Sequence, residues 1–112
     1  MRGDRERLLD ILDAIRQIEK YAVRGRQAFE DDELLQTWVI YHLQMVGEAC
    51  RMLSPRLRER YPEGSWAPAA GMRNILIHHY FGIDTEAVWS AVEKDLPELQ
   101  RRVEAILEDL AK

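Results

Sequence analysis

Between Leu34 and Leu53 the chain carries thirteen apolar side chains and no proline. They fall too densely for the single stripe of a surface helix, and they do not alternate with period two for long enough to make a convincing strand. The spacing predicts a helix from about Asp32 to Leu53 that is apolar most of the way round. Such a helix is either central to its domain or covered by another chain. In a chain of 112 residues few elements remain to surround it, which points towards a homodimer. Glu48 on this helix needs a partner, since an unpaired buried carboxylate is costly. Gly47 costs about 1 kcal/mol of helix propensity relative to Ala, which a close helix crossing would explain.

The other segments read as helices too. Leu8, Ile11, Leu12, Ile15, Ile18 and Ala22 recur at three- and four-residue steps, predicting a helix over Asp4–Val23 with Asp4 as N-cap and Gly25 ending it. Ser54-Pro55 starts a short helix that reaches Tyr61 before Pro62 stops it. Ser65-Trp66-Ala67-Pro68 looks like the entry to a further helix ending at Gly82. Asp84 caps the next, with Ala87, Val88, Ala91 and Val92 inside and Trp89 on the flank. Pro97 predicts a kink or restart at Asp95-Leu96, after which Leu99, Val103, Ile106, Leu107 and Leu110 are buried. The expected fold is all-α, an up-and-down bundle of four to five helices forming one domain over residues 1–112.

Composition narrows the function. A single cysteine, Cys50, cannot form an internal disulfide. No apolar run is long enough to cross a bilayer, and the N-terminus has no signal-peptide core, so the expectation is a cytoplasmic protein away from membranes. The net charge of −4 argues against indiscriminate nucleic-acid binding. Charge is uneven, however: residues 51–83 hold five arginines and two acids. Arg51, Arg56, Arg58, Arg60 and Arg73 form this zone, and guanidinium suits bidentate phosphate contact. A solvated helix face is the plainer explanation of the same arginines.

Gly71-Met72-Arg73-Asn74-Ile75-Leu76-Ile77-His78-His79-Tyr80 concentrates what remains of the chemistry. There is no CxxC pair, and His78 and His79 are adjacent and diverge on a helix, so no metal site is expected. Glycine-rich phosphate loops and nucleophile elbows are absent. His42 and Cys50 read as packed side chains rather than ligand or nucleophile. On an ideal helix Arg73 and Tyr80 lie about 20° apart, whereas His78 lies about 140° from Arg73. A two-fold pair of chains could still bring guanidinium and imidazole into one groove. These residues suit phosphodiester chemistry on RNA: the imidazole takes or gives a proton, and the guanidinium stabilises charge on the phosphoryl oxygens. Residue types alone leave this reading level with a structural one, in which Arg73 pairs with a carboxylate and His78 caps a carbonyl.

The spacing Arg73-x4-His78-x-Tyr80, with Asn74 after the arginine, resembles the HepT-like toxin family of the HEPN superfamily. So do Asp10-Ile11-Leu12-x-Ala14-Ile15, Val46-Gly47-Glu48-Ala49, Trp66, Val88-Trp89 and Asp95-Leu96-Pro97. The resemblance implies a helical homodimer whose two motifs line a shared cleft. It implies metal-independent endoribonuclease activity without a cofactor, with Arg73 and His78 catalytic and Asn74 supporting. A minimal nucleotidyltransferase (MNT-type) antitoxin is the implied partner, transferring AMP onto Tyr80. His79 also fits the looser superfamily spacing, but the register to Tyr80 selects His78. Arg51, Arg56, Arg58 and Arg60 are then candidates to contact RNA. The alternative is a helical binding module that docks on the nucleotidyltransferase and cuts nothing.

Overall fold

The computed structural model describes residues 3–62, 66 and 84–112, and every regular element among them is helical. Helix α1 spans Asp4–Ala22, α2 Arg26–Asp31, α3 Glu33–Arg51, α4 Pro55–Arg60 and α5 Thr85–Ser90. A π-helical turn over Ala91–Asp95 leads into α6, Leu96–Leu110. Apart from Trp66, the expected helix entered through Ser65-Trp66-Ala67-Pro68 and ending at Gly82, with the Gly71–Tyr80 stretch, lies outside the described residues.

Helix α1 buries Leu8, Ile11, Leu12, Ile15 and Ile18, the stripe its spacing predicts. Its start differs from expectation. Gly3 is the N-cap, with its N–H on Glu6 Oε2 at 3.1 Å. Asp4 is instead a long-range acceptor: Ser54 donates to it from its backbone N–H at 2.8 Å and its hydroxyl at 2.6 Å. That clasp ties the beginning of α1 to the end of α3. At the other end, Trp38 Nε1 donates to Gln17 O at 2.8 Å, so α1 and α3 run antiparallel along their length.

The short α2 has no counterpart in the sequence expectation. Gly25 enters it at φ 94°, a conformation glycine adopts without steric cost. Phe29, its one fully buried side chain, lies against Trp89 at 5.4 Å between ring centroids. Asp32 caps α3 through Leu34 N–H at 2.9 Å and Leu35 N–H at 3.3 Å. Ser54 Oγ caps α4 by accepting Leu57 N–H at 3.1 Å, and Asp84 Oδ1 caps α5 by accepting Ala87 N–H at 3.0 Å. The Ser54 and Asp84 caps stand where the sequence puts them, and Asp32 is where the long apolar helix is expected to begin.

Pro97 explains the wide turn before α6. It has no N–H for the carbonyl four residues back, and its ring would crowd that carbonyl. The Leu96 N–H reaches five residues back to Ala91 O, opening the helix by one residue. Trp89 is buried rather than flanking, its indole donating to Glu93 at 3.0 Å. In α6, Leu99, Val103 and Ile106 are buried as predicted, Leu107 is partly buried and Leu110 is exposed. Leu110 fails to bury because it sits in the last turn of α6, beyond the reach of the core. The buried residues of all these helices, with Trp66, form one apolar core.

Helix α3 sorts its many apolar residues onto two faces. Leu35, Val39, Leu43, Val46 and Cys50 enter the core, while Leu34, Tyr41 and Met45 are exposed, as is Met52 just past its end. Glu48 is less buried than expected and meets Arg51 at 2.8 Å.

Candidate functional site

Arg73, Asn74, His78, His79 and Tyr80 lie outside the described residues. The structure defines the frame on either side of them: α4 and Tyr61 before, Asp84 and α5 after.

Tyr61 is the hub of the first side. Ser54 and Pro55 start α4, and a six-residue helix carries the chain to Tyr61. The Tyr61 hydroxyl donates to Asp109 Oδ2 on α6, and Arg60 Nη2 meets the same carboxylate at 3.3 Å. The Arg60 guanidinium also lies 5.3 Å from the Tyr61 ring centroid, within cation–π range. Hydrogen bonding to Asp109 raises the Tyr61 phenol above its ordinary range, and the same bond holds the Asp109 carboxyl below its own. The Tyr61 carbonyl accepts the Trp66 indole N–H at 2.8 Å, and Trp66 is buried. Tyr61 is therefore fixed to α6, and Trp66 to the core. Beside Tyr61, a groove of about 550 Å³ runs along α6, lined by Glu98, Arg101, Arg102, Ala105, Ile106 and Asp109. Its two arginines face two acids, so it offers no uniformly positive surface.

The four arginines proposed for RNA do not share one face. Arg51 is held by Glu48 at the end of α3, and Arg60 by Asp109, both with mostly exposed side chains. Arg56 and Arg60 are one helical turn apart on α4 and line a small cleft of about 250 Å³ with Asp4, Tyr61 and Leu110. Arg58 lies on the other side of α4, about 200° from Arg56. Its Nε is buried and has no acceptor among the described residues.

His42 and Cys50 behave as packed residues. His42 is buried, with Nδ1 2.8 Å from Trp38 O. A carbonyl only accepts, so Nδ1 carries the proton. The ring sits 4.5 Å from Trp38 and 5.1 Å from Tyr41. Burial pushes the Cys50 thiol up to about 12, leaving almost no thiolate at neutral pH. Among the described residues no group of three His, Cys, Asp or Glu side chains could hold a metal ion. Nor is any helix among them long and apolar enough to cross a membrane.

Sequence reading missed two contributors to this frame. Asp109 had no local motif, since its partners stand 48 and 49 residues away. Asp4 carried a cap signal that its actual long-range role overrides.

Comparison with known proteins places the chain. The family described as "Ribonuclease HepT-like" matches residues 11–106. A Methanocaldococcus jannaschii protein named "gamma-glutamylcyclotransferase and putative RNase" is 39% identical over 106 residues, 91% of this chain. The chain spans 46% of that relative's length. A "putative RNase" of the same organism is 34% identical over 100 residues, 88% of this chain and 92% of the relative. A "probable ribonuclease HepT" of Thermococcus cleftensis is 35% identical over 108 residues, 94% of this chain and 96% of the relative. No solved structure matches the chain significantly. A match that runs from the first helix to the last, with relatives aligned over nearly their whole length, makes this chain a member of the ribonuclease HepT-like family of the HEPN superfamily.

Proposed function

We propose that this protein is the toxin of a two-protein toxin–antitoxin pair, a metal-independent endoribonuclease that works as a homodimer in the cytoplasm. The observation that carries the reading is the family match over residues 11–106, together with the intact Arg73-x4-His78-x-Tyr80 spacing inside it. Two chains place their motifs along one cleft. A neutral His78 imidazole accepts the proton of an RNA 2′-hydroxyl, and the 2′-oxygen attacks the adjacent phosphorus. The bond from phosphorus to the 5′-oxygen breaks, that oxygen takes a proton from water, and the imidazolium returns its proton to the solvent, so one imidazole serves each cleavage. The products are a 2′,3′-cyclic phosphate and a 5′-hydroxyl. Arg73 stabilises the charge that builds on the phosphoryl oxygens, and Asn74 supports it by hydrogen bonding. Arg56 and Arg60, on one face of α4, contact the RNA backbone outside the cleft; Arg51 and Arg58 do so from separate positions.

An MNT-type nucleotidyltransferase is the neutralising partner. Adding AMP to the Tyr80 hydroxyl would place negative charge and bulk in a cleft that must accept an RNA phosphate. Mass spectrometry after incubation with that partner and ATP would find the added adenylate on the Tyr80 peptide; adduct confined to other peptides would remove Tyr80 from the scheme.

The direct test is cleavage of structured and unstructured RNA in EDTA by wild type and His78→Ala. Wild type cuts and the variant does not. Equal cleavage by both, or none by either, would refute the catalytic assignment.

A further inference from the structure

Helix α3 leaves a row of large apolar side chains uncovered on one side of the molecule. Leu34 is 82% exposed, Tyr41 58%, Met45 40% and Met52 45%. With half-buried Trp38 and with Glu48 they fall at 34, 38, 41, 45, 48 and 52. These alternating steps of four and three are the spacing of a coiled-coil seam, one that the described residues leave open. The side chains that fill this protein's own core, such as Val39, Leu43, Val46 and Cys50, lie on the opposite side of the helix.

The row reads the same in both directions. Positions 34 and 52, 38 and 48, and 41 and 45 are each symmetric about 43. A two-fold axis at the level of Leu43 would therefore lay α3 antiparallel on its own copy, with Leu34 on Met52, Trp38 on Glu48 and Tyr41 on Met45. A two-fold contact requires this kind of self-complementarity. The parallel arrangement would set Glu48 against its own copy, a like-charge clash. The antiparallel one sets it against Trp38, with its carboxylate still held by Arg51 at 2.8 Å. The flanking positions Thr37, Gln44 and Arg51 then bring no acid against acid, and Gln44 meets its own copy near the axis. Between α1 and α3 a groove of about 580 Å³, lined by Arg7, Asp10, Tyr41 and Met45 among others, provides room for the partner's Tyr41 and Met45.

We infer that the open seam of α3 is the self-association face, and that it joins two copies antiparallel about an axis at Leu43. This rests on the two-chain reading of the function and adds to it the surface and the register. Met45→Glu tests the face, because it puts a carboxylate into the middle of the seam at an exposed position where the lone chain tolerates it. Its sedimentation should show at least a hundredfold weaker dimer than wild type, with unchanged far-UV circular dichroism. Register is tested with a short bismaleimide on cysteine variants, since native Cys50 is buried. Gln44→Cys should cross-link to itself, and Leu34→Cys should cross-link to Met52→Cys in a mixture. Leu34→Cys alone should not, because its two copies would stand about 27 Å apart along the axis.

A dimer unaffected by Met45→Glu, or self-linking of Leu34→Cys, overturns the inference while leaving ribonuclease activity in EDTA intact. Loss of RNA cleavage with the cross-links formed as expected would instead sink the ribonuclease reading and leave this face standing. A wild type that remains monomeric throughout overturns both.

Discussion

Asp4 offers a sharp test of how the frame is held, because two accounts of it make different numerical claims. As a helix N-cap it would be worth about 0.5–2 kcal/mol to α1 and would be indifferent to Ser54. In the structure its carboxylate instead accepts two hydrogen bonds from Ser54, at 2.8 and 2.6 Å, joining segments fifty residues apart. Hydrogen bonds to a charged group contribute about 1.5–3 kcal/mol each. Both groups are half-buried, so the low end applies, and Asp4→Ala should cost about 2–3 kcal/mol. For a chain of this size that is roughly a 10 °C fall in Tm. Ser54→Ala removes the hydroxyl bond and the α4 cap but keeps the backbone bond. A double-mutant cycle should therefore return a coupling near ~1.5 kcal/mol. Urea unfolding followed by far-UV circular dichroism, at one fixed protein concentration, measures all four corners. Additive losses, with coupling below about 0.5 kcal/mol, would refute the clasp and restore the capping account.

Three further outcomes are expected from the packing and the shifted groups. Phe29→Ala removes the one buried anchor of α2 and should cost about 3–5 kcal/mol in urea unfolding; a loss under about 1.5 kcal/mol would mean α2 is held by something else. The Tyr61–Asp109 bond should give a stability difference between wild type and Tyr61→Phe that depends on pH in a set way. Asp109 is lowered from 3.8, so its contribution is present above that value and is lost as pH falls through the lowered one. Tyr61 is raised from 10.0, so its contribution is whole below that value and fades as pH rises through the raised one. Tm scans should show a constant gap from about pH 5 to 9 that closes on both sides; a gap unchanged down to about pH 2 would contradict the bond. Cys50, with its thiol near about 12, should react with iodoacetamide at about pH 8 on the order of a thousandfold more slowly in native than in unfolded protein. Comparable rates would show that the thiol is not buried.

Much of the fold was legible because its signals are local. The three- and four-residue spacing in Leu8–Ile18 and the caps at Asp32, Ser54 and Asp84 each act within one turn of their own helix. Pro97 likewise forces its distortion within one turn. What escaped depends on distance or brevity. Helix α2 is six residues long, too short to show a period, and only Phe29 meeting Trp89 explains why it is there. Asp4 and Asp109 find partners about fifty residues away, which no window of sequence contains. The density of apolar residues in α3 was visible, but not its division into a core face and an open seam. That division appears only once the positions of α1 and α6 are known. For the candidate site, the spacing of Arg73, His78 and Tyr80 supplies a proposal, and those residues lie outside the described ones. The arginines of α4 were legible only as a charge excess. Their separation onto two sides comes from the helix they occupy.

The central claim is that two chains share one cleft to which a guanidinium and an imidazole both contribute. Mixing Arg73→Ala with His78→Ala, each inactive alone, measures it most directly. After subunit exchange, the mixed dimers hold one intact Arg73 and one intact His78 in the same cleft, and the mixture should regain cleavage of RNA in EDTA. A mixture as inactive as its components, beside a wild type that cuts, would contradict a shared site.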